Sequence, residues 1–170
     1  MIVIACEGKS EVILVNHLIG RGIFFAKIEE MIDERPMQIR QLTEIASIIN
    51  SLDYEEEIDV YRIGDTQRDE YNLKPFEARK IRIHKVCTKP EIEILVIIAL
   101  GEYDNYCKEK NNQNLSPKEY LKIHCKDCKS VERFIDNNDI VPAIKEYKRI
   151  KKHDKEEMYL YDLLIEKGRK

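Results

Sequence analysis

A chain of 170 residues is the size of one domain, or of one domain with a small appendage. Charged residues at 36% and hydrophobic ones at 43% describe a soluble, helix-rich composition, and no apolar run reaches the length of a membrane span; the longest, 92–100, is interrupted by Glu93. A net charge of -3 excludes a surface that attracts polyanions as a whole, and five cysteines, an odd count, argue against a disulfide framework.

Met1 runs straight into IVIAC without a basic leader or cleavage site, from which a cytoplasmic protein is expected. Residues 2–6 read as a buried strand ended by a glycine turn. Residues 10–18 read as a helix with Ser10 placed to cap it, stopped by Gly20 and Gly22. Residues 23–28, IFFAKI, are a second strand candidate. Pro36 is expected to open a helix to about residue 52, with Ile39, Leu42, Ile45, Ile48, Ile49 and Leu52 at helical spacing. Residues 58–63 form a third strand, ended by Gly64 and Asp65, and residues 81–87 a fourth.

Beyond Pro90 the pattern changes. Residues 91–109 read as one long apolar helix, and Ser116-Pro117-Lys118-Glu119 is a capping box that opens a helix to about residue 124. Two more helices are expected within 130–152 and another over 155–167. The first half thus alternates strand and helix, and the second half is helical. The predicted fold is α/β: a small, mostly parallel sheet of about four strands flanked by helices, then a C-terminal helical part. Residues 1–110 would form the α/β domain and 111–170 a helical extension packed on it. Ligands of such sheets sit beyond the carboxyl ends of the strands, where Glu7 and Asp65 fall.

The turn ACEGKSE, residues 5–11, raises a choice between a phosphate and a metal ion. Gly8-Lys9-Ser10 ends like a phosphate-binding loop, but the first glycine of that motif would fall on Val3, inside the strand. Glu7 would also repel a triphosphate. Hard divalent cations instead want oxygen ligands, few from protein and several from water. The competing view is that Glu7 and Asp65 are simply polar strand ends.

Three stretches together resemble the RloB-like proteins, a bacterial branch of the Toprim superfamily associated with restriction and phage-defence genes. CEGKSE is similar to the Glu-Gly-x-Thr/Ser-Glu/Asp turn that opens Toprim domains. VYRIGDTQRDE resembles their strand ending in Asp-x-Asp, and TKPEIEILVIIALGEY resembles the proline-glutamate segment of the RloB-like branch. The resemblance spans residues 2 to about 106. It implies a Toprim-like sheet and Mg2+ (or Mn2+) as cofactor. It implies phosphoryl transfer, above all nucleic-acid cleavage, in a defence system, with DNA or RNA as partner and a further partner protein from a defence operon. Glu7 and Asp65 would be catalytic; Glu7, Asp65, Asp69 and Glu93 would hold metal; Gly8, Lys9, Ser10 and Glu11 would form the supporting turn. Two positions depart from the family pattern: Gln67 replaces the second Asp of Asp-x-Asp, and Ala99 stands where a His is common. They keep open a second possibility, a catalytically degenerate subunit that binds nucleic acid or a partner protein without cutting.

Other residues are weighed on their own chemistry. Glu93 either serves the metal or pairs with a buried Arg or Lys. His124, Cys125 and Cys128 resemble half a zinc site, but two ordinary thiols at a helix end fit better. Cys6 reads as a small buried hydrophobe, and His17 and His84 as structural. Lys145, Lys148, Arg149 and Lys152 would share one helix face and could meet nucleic-acid phosphates, against the alternative of a solvated face.

Overall fold

The computed structural model describes residues 1–40, 44–45, 47–48, 57–65, 73–75, 77–88, 92–125, 130–151 and 158–165. Among them, β1 (Ile2–Cys6) leads into α1 (Lys9–Gly20), followed by β2 (Met37–Gln38), β3 (Ile58–Gly64) and β4 (Ile81–Cys87). Five helices follow: α2 (Glu93–Ala99), α3 (Tyr103–Gln113), α4 (Pro117–His124), α5 (Val131–Asn137) and α6 (Val141–Ile150). The chain then returns to the sheet as β5 (Met158–Tyr159) and closes in a 3-10 turn, Leu160–Leu163.

The sheet has five strands in the order β2-β1-β3-β4-β5, and every pairing is parallel. The fold is therefore α/β with a helical C-terminal part. The pattern of side chains explains why β1, β3 and β4 lie inside. Along β1, Ile4 and Cys6 join one buried cluster while Val3 and Ala5 join another on the opposite face. A strand apolar on both sides must be covered on both sides. The larger cluster takes in α1, α2, α4, α5 and α6, and runs in sequence from Ile4 to Leu163. The C-terminal helices and the sheet thus share one core.

Four local expectations are corrected. Residues 23–28 do not join the sheet. Phe24 makes an isolated antiparallel bridge to Leu164, with Phe25 N–H donating to the Leu163 carbonyl at 2.9 Å. Pro36 does not open a helix: Met37–Gln38 extend along the edge of β1, and Ile39 N–H donates to the Cys6 carbonyl at 2.8 Å. Residues 44–45 and 47–48 are helical, while 42, 49 and 52 lie outside the described residues. An open sheet edge here outcompetes the local helical pattern, and proline is tolerated just before an edge strand.

The long helix over 91–109 is two helices. The break falls at Gly101, whose φ of 75° lies in the left-handed region, with Glu102 N–H donating to the Ile97 carbonyl at 3.0 Å. Finally, residues 158–159 pair with Val86 and Cys87 rather than continuing a helix over 155–167. The Ser116 capping box forms as read: its Oγ accepts from Glu119 N–H at 3.2 Å, and its own N–H donates to Glu119 Oε2 at 2.9 Å. No helix among the described residues is long and apolar enough to cross a membrane.

Candidate functional site

The site lies at the carboxyl edge of the sheet, where β1 and β3 run side by side in the register Cys6 with Ile63. That register carries the next residues of both strands out together. Glu7 N–H donates to the Ile63 carbonyl at 2.9 Å, and Asp65 N–H donates back to Glu7 Oε2 at 3.1 Å. The Glu7 carboxylate therefore lies across the end of β3. Gly64 makes room for it: a Cβ there would stand 2.8 Å from the Glu7 Cβ and overlap its carboxylate. On the other side of β3, Thr88 N–H donates to the Gly64 carbonyl at 3.0 Å. Thr88 is buried, and its hydroxyl finds no hydrogen-bond partner among the described residues.

Glu11 completes the turn. It sits in the first turn of α1, which is capped by the backbone of Gly8 and not, as expected, by the Ser10 side chain. A Cβ at Gly8 would come within 2.7 Å of Glu11 Oε2, so the carboxylate folds back over the turn. Burial pushes the Glu11 carboxyl above its ordinary range. A hydrogen bond from its own backbone lowers it in part, and the charges of Glu7, Glu93 and Asp65 raise it further. Glu93 opens α2 and is half-buried. The charges of Glu7 after β1, Asp65 after β3 and Glu93 at the start of α2 thus all reach Glu11 on α1. Sequence reasoning had Glu11 only as a supporting residue.

One positive charge lies beneath them. Arg62 on β3 is buried at 2% exposure. Its guanidinium donates to the Ile39 carbonyl and, at 3.2 Å, to the Arg40 carbonyl, which ties the chain after β2 to β3. Its charge is felt at Cys6, where it opposes the rise in thiol pKa caused by burial and by Glu11. Cys6 is inaccessible and packs as the small hydrophobe expected. Alternation puts Arg62 on the face of the buried Ile58 and Val60, and its charge, which ordinarily marks a solvent-facing position, hid the burial.

Beside the carboxylates, Asp65 also lines a cavity of about 540 Å³ with Tyr103, Tyr106, Tyr147, Lys110 and Lys151. Lys151 Nζ donates to the Tyr147 hydroxyl at 3.0 Å. The Tyr103 hydroxyl is pushed up to about 12 by burial, by its hydrogen bond with Cys107 and by the neighbouring Cys107, Tyr106 and Tyr147.

The remaining predicted residues are placed as follows. Lys9 is exposed and pairs with Glu132 at 3.5 Å, which turns it toward α5. Lys148 pairs with Asp162 at 3.0 Å, and Arg149 holds Glu146 through two hydrogen bonds of 2.8 and 2.6 Å. Lys145 is exposed. Lys152, Gln67 and Asp69 lie outside the described residues. The half-site at 124–128 is not a ready zinc site: His124 hydrogen-bonds Glu109 at 2.9 Å, and Cys125 is disulfide-bonded, which corrects the expectation of an ordinary thiol there, whereas Cys6, Cys87 and Cys107 are free. Cys128 lies outside the described residues. His84 pairs with Asp59 at 2.7 Å on the strand surface.

Glutamates and an aspartate offer oxygen donors of the kind that suit a hard divalent cation. As they stand, no three His, Cys, Asp or Glu side chains among the described residues close into a ready ligand set. No family model, no curated protein and no solved structure matches the chain.

Proposed function

We propose that the chain is a Mg2+- or Mn2+-dependent phosphoryl-transfer enzyme that cleaves a nucleic acid, in the bacterial defence setting that its resemblance to RloB-like Toprim proteins implies. One observation carries the reading: the Glu7 carboxylate lies across the end of β3, accepting the Asp65 N–H at 3.1 Å, with Glu11 folded back over the same turn at the carboxyl edge of a parallel sheet. Like charges so placed call for protons or a cation between them. Glu7, Asp65 and Glu93 would hold the metal, with Asp69 as a further ligand. A bound divalent cation supplies charge stabilisation at the phosphoryl oxygens and acidifies water. The chain supplies orientation. The Asp65 N–H fixes the Glu7 carboxylate, which takes a proton from the attacking water. The proposal does not rest on the basic helix face, since Lys148 and Arg149 each have a carboxylate partner.

The test is cleavage of end-labelled DNA and RNA in Mg2+, in Mn2+ and in EDTA. The expected result is metal-dependent cleavage that Glu7→Gln lowers by on the order of a hundredfold or more, the usual scale of a lost general base. The second reading, a subunit that binds without cutting, is favoured by Gln67 and Ala99. Nucleic-acid binding with no cleavage under any metal would establish it in place of the first.

A further inference from the structure

A second cavity, of about 470 Å³, shares none of its lining with the carboxylate site. It opens where three parts of the chain meet: the C-terminal end of α1 at Arg21 and Ile23, the start of α6 at Val141 and Lys145, and the segment after β5 at Leu164 and Ile165. The backbone holds these walls together. Ile165 N–H donates to the Ile23 carbonyl and Phe25 N–H to the Leu163 carbonyl, both at 2.9 Å. The cavity is therefore formed before a ligand arrives, and its volume falls in the size range of small-molecule sites.

Interior and rim differ in chemistry. Ile23, Val141, Leu164 and Ile165 supply hydrocarbon, and Ile165 is still 49% exposed at the mouth. Covering such a side chain releases water from apolar surface. The rim carries two cations, Arg21 and Lys145, against one carboxylate, Asp139. Asp139 is already engaged: its Oδ1 accepts from Arg21 at 2.7 Å and from the Val141 N–H at 3.1 Å. Arg21 and Asp139 thus cancel, and Lys145 is left over. It is exposed and makes no hydrogen bond or ion pair among the described residues. Val141 and Lys145 stand four apart on α6, which puts hydrocarbon and ammonium on one helix face. Lys148 adds no free charge, since it pairs with Asp162 and lies 3.8 Å from the Tyr161 ring centroid.

We propose that this cavity binds a small organic monocarboxylate, its aliphatic tail on the isoleucine, valine and leucine wall and its head at Lys145. One uncompensated ammonium takes one negative charge. A doubly charged head such as a phosphate monoester would need a second cation, and Arg21 is held by Asp139. The site is independent of the phosphoryl-transfer reading, because the two have no residue in common.

The experiment is an NMR titration of the full chain with hexanoate, octanoate and decanoate below their micelle concentrations, with octanol and octylamine as head-group controls. Affinity is expected to rise about threefold for each methylene buried. Octanoate should bind about threefold or more tighter than octylamine, the scale of an exposed ion pair. Lys145→Glu should abolish that preference, and Ile165→Ser should weaken decanoate more than hexanoate. Both side chains are exposed, so the fold should be kept, and the comparison of head groups on the wild type needs no variant. No binding of decanoate at millimolar concentration, equal binding of octanoate and octylamine, or a head-group preference unchanged in Lys145→Glu overturns the proposal.

Discussion

The backbone N–H of Asp65 donates to Glu7 Oε2 at 3.1 Å, joining residues 58 positions apart at the ends of two neighbouring parallel strands. The contact requires Gly64. Gly64→Ala would drive a methyl group into the Glu7 carboxylate. Its expected cost is about 1–3 kcal/mol, as for an overpacked site, with the fold retained. Divalent-cation affinity should fall as well, by about tenfold or more. Thermal unfolding and Mn2+ titration of the same preparation check both; retention of full affinity would show that Glu7 need not lie where it does.

Glu11 gives a pH prediction. Its carboxyl in the folded chain titrates above the ordinary 4.5, through burial and the charges of Glu7, Glu93 and Asp65. Between 4.5 and the raised value, the folded state binds more protons than the unfolded one. Stability therefore falls as pH rises through that window and stays lowered above it. Glu11→Gln removes this loss. In EDTA the variant should be more stable than wild type at neutral pH, and the two should converge below pH 4.5. Saturating Mg2+ should narrow the neutral-pH gap, since a cation among the carboxylates offsets the charges that destabilise the ionised Glu11 of the wild type. Parallel stability curves at every pH would refute the crowding of carboxylates.

Arg62 is the buried strut under the site. Arg62→Ala would take the guanidinium donor from the carbonyls of Ile39 and Arg40 and remove the positive charge felt at Cys6. Loss of one partner from a buried charged network costs on the order of 3 kcal/mol. Urea unfolding should show it; a change within about 0.5 kcal/mol, the range of ordinary surface substitutions, would argue that the guanidinium is dispensable.

The break between α2 and α3 makes a separate, local prediction. Gly101 holds a φ of 75° and nothing lies within 4 Å of where a Cβ would be, so backbone conformation alone opposes a side chain. Gly101→Ala should destabilise by about 1–2 kcal/mol. Gly101→Asn should cost less, because asparagine tolerates the left-handed region. Equal losses in the two variants would point to some other cause.

The central strands were readable because IVIAC is a continuous apolar run, as burial on both faces requires, and IRIHKVC alternates. Ser116 and Glu119 were readable because a capping box is local chemistry. Met37–Gln38 and Met158–Tyr159 were not, since two residues carry no period and their pairing is decided by an edge far away in sequence. Gly101 was masked by the apolar run before it. At the site, the acidic strand tips Glu7 and Asp65 could be read from topology. Glu11 as the electrostatic centre, Arg62 beneath it and the tyrosine cavity could not, because each depends on elements brought together only by the fold. Gly64 directly before Asp65 was the signal available for the close approach of Glu7.

The most direct test of the metal reading is a crystal soaked in Mn2+ and measured at the manganese absorption edge. The account predicts an anomalous peak between Glu7 and Asp65, with Glu93 or Asp69 within coordination distance and Glu11 turned toward it. No peak at millimolar Mn2+, with Glu7 still bound to the Asp65 N–H, would contradict it.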